Sequence, residues 1–484
     1  MLDFLLKHAE SEPVSFYMPG HKGSAIFRKY GFDKALDNFV DMDVTEIAGA
    51  DNLFQTEGII KDVQDRYAKL YDVDHSYLLI NGTSGGVIAG ILATVEPGKK
   101  LIMARNCHKC VFNALTLGHI EPVYAHPNLV QRYGVMGGVD AMEISKLISE
   151  NLDAEAVIIP SPNYYGICSD IKTIAEVVHK AGKVLIVDQA HGAHLKFFHK
   201  YQADEDMPVA AEDCGADIGI NSIHKTMASL TQSAVLNLRS DRIYRFTLED
   251  KLQAIQSTSP SYILMTFLDI NAKILEEHGT EVMDNWKRNL DYFYDEAGNI
   301  PGLRVMGKAA DSELGYGDSN ESMLLDRTKI NLDLSSYGIG GAEFERLLNR
   351  RGIFPELYAG DLLMLMTGIG NTKEHMERTL TAIKEIISDH NLTGESKKIT
   401  DEDHAVVPEP GKLHPIPRDK EFLEIKKAAG RICAGSIIPY PPGSPLVCPG
   451  EEITSDIADY ILKLRSSGEK VLGIDDANRV AVGI

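Results

Sequence analysis

The chain has 484 residues, 44% apolar and 25% charged, with a formal net charge of −21; this is the balance of a soluble globular protein with material for two or three domains. No basic stripe offsets the acidity, which argues against nucleic-acid binding, and no apolar run is long enough to span a membrane. The amino terminus lacks the features of a signal peptide and the six cysteines are scattered, so a reduced, cytoplasmic protein without a disulfide framework is expected.

In chain order, residues 1–50 read as an arm carrying a glycine-rich loop, Met18-Pro19-Gly20-His21-Lys22-Gly23. Residues 51–298 alternate short β-branched runs with helical stretches, the pattern of a mainly parallel α/β sheet. Seven strands are predicted: Ser76–Ile80, Lys100–Ala104, Glu121–Ala125, Ala156–Ser161, Lys183–Asp188, Asp217–Ser222 and Ala234–Arg239. Helices Phe246–Ile255 and Tyr262–Glu277 then lead to a smaller α/β unit over 299–395, with strands Lys329–Leu334 and Leu362–Thr367 and helices Ala342–Arg351 and Thr372–Ser388. A polar, proline-bearing linker is expected over 391–418, and a last unit, 396–484, opens with helix Asp419–Ala428 and carries the loop Pro439–Pro445.

Lys225, in Asn221-Ser222-Ile223-His224-Lys225-Thr226, follows a predicted strand and lies downstream of Asp188-Gln189-Ala190-His191-Gly192. Ligands bind at the carboxyl edge of open α/β sheets. A lysine and an aspartate there supply what pyridoxal phosphate requires: an amine for a Schiff base and a carboxylate for the pyridinium nitrogen. Taken singly, Lys225 reads as a solvated surface charge and Asp188 as a helix cap. Asn81-Gly82-Thr83-Ser84-Gly85-Gly86 opens an apolar helix after the first strand, either as a phosphate cradle at the positive end of the helix dipole or as a capping turn. His108 also follows a strand, and its ring can stack on a planar group or serve packing alone. Cys107-His108-Lys109-Cys110 has no second pair to complete a zinc site, so no metal is expected.

Together, Phe16-Tyr17-Met18-Pro19-Gly20-His21-Lys22-Gly23, Asn81-Gly82-Thr83-Ser84, Asn106-Cys107-His108-Lys109, Asp188-Gln189-Ala190-His191-Gly192, Ser222-Ile223-His224-Lys225 and Pro439-Tyr440-Pro441-Pro442-Gly443 with Pro449-Gly450-Glu451 resemble the Orn/Lys/Arg decarboxylases of the aspartate-aminotransferase fold (fold type I). The resemblance spans nearly the whole chain. It implies an active-site arm over 1–50, a pyridoxal-phosphate-binding large domain over 51–298, a small domain over 299–395 and a C-terminal decarboxylase domain over 396–484.

By that resemblance Lys225 carries pyridoxal phosphate, Asp188 pairs with the ring nitrogen, and Thr83, Ser84, Ser222 and His224 hold the phosphate. His108 would stack on one ring face, Ala190 would pack on the other, and His191 would lie near the phenolic oxygen. Thr258 and Ser259 match a segment that reaches the partner subunit's phosphate, implying a homodimer, or a multiple of dimers, with shared active sites. The receiver-like wing domain of the long bacterial members has no counterpart ahead of Phe16, so the short form is expected. Short-form members imply arginine decarboxylation feeding polyamine synthesis, with lysine and ornithine as alternatives. For the distal cation the carboxylates of Glu356, Asp51 and Glu451 are candidates. An aminotransferase or lyase on the same fold, and a silent binding homologue, are the competing readings.

Overall fold

The computed structural model describes residues 1–307, 324–389, 408–439, 444–466 and 468–484. These form two compact units, residues 1–105 with 114–399 and residues 106–113 with 400–484. Most of the predicted linker, 390–407, and residues 440–443 of the proline-rich loop lie outside the described residues.

The first unit is organised by a seven-stranded sheet of β1 (His75–Leu79), β2 (Lys100–Ala104), β3 (Glu121–Ala125), β4 (Ala154–Pro160), β5 (Val184–Asp188), β6 (Ile218–Asn221) and β7 (Ala234–Leu238). Their order is β1-β7-β6-β5-β4-β2-β3. β7 runs antiparallel to both its neighbours, whereas the other pairings are parallel. β5, β6 and β7 are buried along their whole length, and the parallel strand β5 accordingly reads as an apolar run up to Asp188, since both faces of the sheet are covered. All seven predicted strands are present.

A second, antiparallel sheet has the order β8-β9-β11-β10, with β8 Arg304–Val305, β9 Lys329–Asp333, β10 Leu357–Ala359 and β11 Leu362–Met366. Helix α1 (Leu2–Glu10) precedes an arm in which Val14 and Ser15 pair in parallel with Ile353 and Phe354. Helices α2 (Ile59–Tyr71) and α3 (Gly82–Thr94) flank β1. The four-residue turn α4 (Ile223–Thr226) carries the candidate lysine, and α5 (Arg245–Ile255) follows β7. The predicted helix from Tyr262 continues to Gly298 as the 37-residue α6, which buries Phe267, Leu275, Trp286 and Phe293. It packs on α2 and on the closing helix α7 (Lys373–Asp389). Fully burying side chains of this size stabilises by about 1.5–3 kcal/mol each.

The second unit corrects one expectation: Asp419–Ala428 is not a helix. Lys420–Glu424 forms strand β12, antiparallel to β13 (Arg479–Gly483), and Ile425–Ala428 is a 3-10 turn. The Lys, Glu, Leu and Ala content favours a helix locally, but cross-strand pairing with Val480 and Val482 wins because it completes a core of Ile425, Cys433, Ile457, Ile461, Val480 and Val482.

Candidate active site

β5 and β6 are parallel neighbours and deliver two polar residues to one edge: Asp188 ends β5, and Ser222 follows β6 and opens α4. The turn is fixed from the returning β7 side, where the Ser233 carbonyl accepts both the His224 backbone N–H (3.3 Å) and the His224 Nδ1–H (2.9 Å). Burial, opposed by that carbonyl, lowers the His224 pKa to about 4, so the ring is neutral with its proton on Nδ1.

Lys225 leaves this turn with Nζ 2.9 Å from His191 Nε2, on the loop after β5. Asp188 is buried and takes the Ala190 N–H at 3.2 Å. Burial pushes its carboxyl upward, while the nearby Lys225 ammonium and the Ala190 N–H pull it down. The carboxylate therefore relies on a neighbouring positive charge to stay ionised.

Thr83, in the first turn of α3, has its hydroxyl 3.2 Å from the Ser222 hydroxyl, and both residues are buried. Ser84 is half-buried beside it. The first-turn amides of a helix have no intrahelical acceptor, so two hydroxyls and a helix N-terminus converge there. This set suits a phosphate.

The arm closes the site from behind. Gly20 donates to the His224 carbonyl at 2.7 Å and accepts from Gly370 at 3.0 Å. A Cβ on Gly20 would lie 2.2 Å from the Thr226 carbonyl carbon, so only glycine permits this approach. Lys22 donates to the carbonyls of Tyr17 and Met366, the latter at 3.1 Å. Burial, with the Lys329 charge acting in the same direction and Glu356 opposing, lowers its pKa to about 7.

Of the three carboxylates considered for a distal cation, Glu356 is the one linked to Lys225. Its Oε1 accepts the Tyr164 hydroxyl at 2.7 Å and its Oε2 the Met18 N–H at 3.1 Å, while the Tyr164 ring lies 4.4 Å, centroid to centroid, from the His191 ring. Each oxygen retains a further lone pair. Asp51 instead holds the start of α2, accepting backbone N–H groups from Asn52, Glu57, Gly58, Ile60 and Lys61. Glu451 belongs to the second unit, where its buried side chain accepts the Cys448 N–H at 2.7 Å. His108 is also in that unit, with Nδ1 3.1 Å from the Cys110 sulfur. Thr258 and Ser259 are exposed in the turn between α5 and α6. Among the described residues, no group of three or more His, Cys, Asp or Glu side chains could hold a metal ion, and no helix is long and apolar enough to cross a membrane.

The sequence reading did not single out Tyr164, His194, Thr226, Asp326 and Lys329. His194 could have been suspected from its spacing in His191-Gly192-Ala193-His194; Lys329 reads as one polar position in an ordinary strand. The amine, the carboxylate and the hydroxyl cradle together match the three things pyridoxal phosphate presents: an aldehyde, a pyridine nitrogen and a phosphate.

The sheet with a lysine and an aspartate at its carboxyl edge defines the aspartate-aminotransferase-like, fold type I architecture. The solved lysine decarboxylase A of Pseudomonas aeruginosa shares the fold, with a TM-score of 0.77 and 20% identity over 96% of this chain and 78% of that one. The sequence narrows the class further. The chain belongs to the Orn/Lys/Arg decarboxylase family: the family's major domain matches residues 1–295 and its C-terminal domain residues 396–477. The arginine decarboxylase of Bacillus subtilis (strain 168) is 31% identical over 98% of this chain and 95% of its own length. The arginine decarboxylase of Halalkalibacterium halodurans is 30% identical over 98% and 94% respectively.

Proposed function

We propose that the chain is a pyridoxal-phosphate-dependent decarboxylase of a basic L-amino acid, arginine in the first place, releasing CO2 and agmatine for polyamine synthesis. The observation that carries this reading is the contact of Lys225 with His191 beside the buried Asp188, next to the Thr83–Ser222 hydroxyl pair. Full-length likeness to two arginine decarboxylases supports arginine over lysine or ornithine.

When bound, pyridoxal phosphate supplies an electron sink for the pair left at Cα as the bond to the carboxylate breaks. The protein's residues do the rest. Lys225 Nζ provides the amine for attachment, and Asp188 keeps a proton on the ring nitrogen by offering a poorly solvated negative charge. Thr83, Ser84, Ser222 and the first turn of α3 hold the phosphate. His224 would join them through Nε2 only if the phosphate's negative charge offsets the burial that keeps the free ring neutral, because its Nδ1–H is committed to Ser233. Ala190 would pack on one face of the ring. The Lys225–His191 hydrogen bond holds one proton between two nitrogens, and this pair would return a proton to Cα after CO2 leaves. Glu356 would accept the distal guanidinium through its remaining lone pairs, with Tyr164 fixing its orientation. Thr258 and Ser259, being exposed, would reach the phosphate of a partner subunit in a dimer.

Purified protein with added pyridoxal phosphate should release CO2 and agmatine from arginine without any keto acid. Amine transfer to a keto acid would replace this reading with an aminotransferase, and a protein that stays colourless and inert with all three basic amino acids would replace it with a silent homologue.

A further inference from the structure

Lys329 and Asp326 form an ion pair with no solvent exposure on either side chain, Nζ to Oδ2 at 2.6 Å. Lys329 Nζ also donates to Thr328 Oγ1 at 3.2 Å and to the His191 backbone carbonyl, which uses all three ammonium protons. Asp326 Oδ1 accepts the Thr328 N–H at 3.0 Å, the Thr328 hydroxyl at 2.7 Å and His194 Nε2 at 3.1 Å. A carboxylate only accepts, so the His194 proton is on Nε2. Its Nδ1, 3.2 Å from Thr226 Oγ1, then accepts the Thr226 hydroxyl proton. Burial lowers the His194 pKa and keeps the ring neutral, the Lys329 charge assisting and Asp326 opposing. Burial alone would raise Asp326, but His194 and Lys329 hold it well below the usual carboxylate range.

Breaking a buried ion pair is costly, yet such a pair is often no more stabilising than well-packed apolar side chains of the same volume. Core stability alone therefore gives no reason to place charge here. What distinguishes the cluster is where its two ends fall. One end holds the main chain of His191, whose ring nitrogen meets Lys225 Nζ. The other ends on Thr226, adjacent in sequence to Lys225 and fully buried. Lys225 is thus gripped on both sides by a set of groups anchored at β9 in the smaller sheet, and the titratable groups around its amine are Asp188, His191 and the neutral His224.

We propose that Asp326, Lys329 and His194 are positioning residues that fix His191 and Thr226 and thereby aim the Lys225 amine. This deepens the proposed function and rests on it. None of the three touches the reacting atoms.

The test uses the full chain reconstituted with pyridoxal phosphate, in Thr226→Val and Thr226→Ser. Valine keeps the shape and removes the hydroxyl; serine restores it. Thr226→Val should lower kcat by about ten- to a hundredfold with little change in KM, alter the visible absorbance of the bound cofactor and weaken its retention on dialysis, and Thr226→Ser should recover all three. A double variant, Asp326→Asn with Lys329→Met, removes both charges without stranding either; it should keep cooperative unfolding and show the same kcat and absorbance changes. If the valine variant matches wild type in absorbance, retention and kcat, or if serine fails to rescue, the positioning role is overturned while the decarboxylase reading stands. A wild-type chain that takes up no cofactor overturns both.

Discussion

Two aspartates are buried on adjacent strands of the large sheet, at opposite ends. Asp217, just before β6, is closed on every side: Oδ2 accepts the Leu185 N–H at 2.8 Å and His179 Nε2 at 2.9 Å, and Oδ1 accepts Arg242 at 3.1 Å. Asp188, at the far end of β5, takes a single backbone N–H, from Ala190, and relies for the rest on the charge of Lys225. A carboxylate matched by permanent donors cross-links the fold. One left dependent on a movable amine is poised for an incoming cation, which here is the protonated ring nitrogen of the proposed cofactor. The two ends of one sheet thus divide stability from chemistry.

The largest expected effect is at the amine itself. Lys225→Ala should abolish the visible absorbance of the bound cofactor and lower the decarboxylation rate by about 10^4-fold or more, since attachment and proton return are lost together. Wild-type absorbance in this variant would break the assignment. Asp188→Asn comes next, with a loss of about 10^2–10^3-fold, the scale of removing one preorganised electrostatic partner. Its unfolding midpoint should hold or rise, because burial already disfavours this charge. Asp217→Asn should behave in the opposite way. Removing the charge weakens the bonds that the Leu185 N–H and His179 make to this buried carboxylate, destabilising by about 1–2 kcal/mol, with little from the half-exposed Arg242, while kcat per folded molecule stays at the wild-type value. A drop in kcat for Asp217→Asn at full folding would erase the distinction between the two ends.

This division also explains what could be read from the sequence. The central strand β5 was legible because burial on both faces leaves an apolar run up to Asp188, and Asp188 and Lys225 were legible because they follow such runs at the ends of strands. Lys329 was not: in Lys329-Ile330-Asn331-Leu332-Asp333 a lysine at alternate spacing reads as the solvated face of a strand, and only the fold shows that face pressed onto the His191 loop. Tyr164, Glu356 and Met18 meet across 192 and 338 positions of sequence separation, respectively, so no local pattern could join them. The segment Asp419–Ala428 misled because its helical propensity is intrinsic, whereas its strand partner lies at Arg479–Gly483.

The smallest effect concerns Lys22, on the functional side of the comparison. Burial lowers its pKa from 10.5 to about 7, so between those values the unfolded chain binds a proton that the folded chain does not. Folding stability attributable to this group therefore rises with pH through that window and is at its least below it, where both states are protonated. Lys22→Met removes the group. The variant's stability relative to wild type should be most favourable below pH 7 and should fall by about 1 kcal/mol between pH 7 and 8, where the wild-type lysine sheds its proton. Denaturant unfolding at a series of pH values reads this directly. A stability difference that does not change across pH 7 to 8 would show that the Lys22 ammonium is as well satisfied in the fold as in water, and that the functional end of the sheet strains its charges only at Asp188.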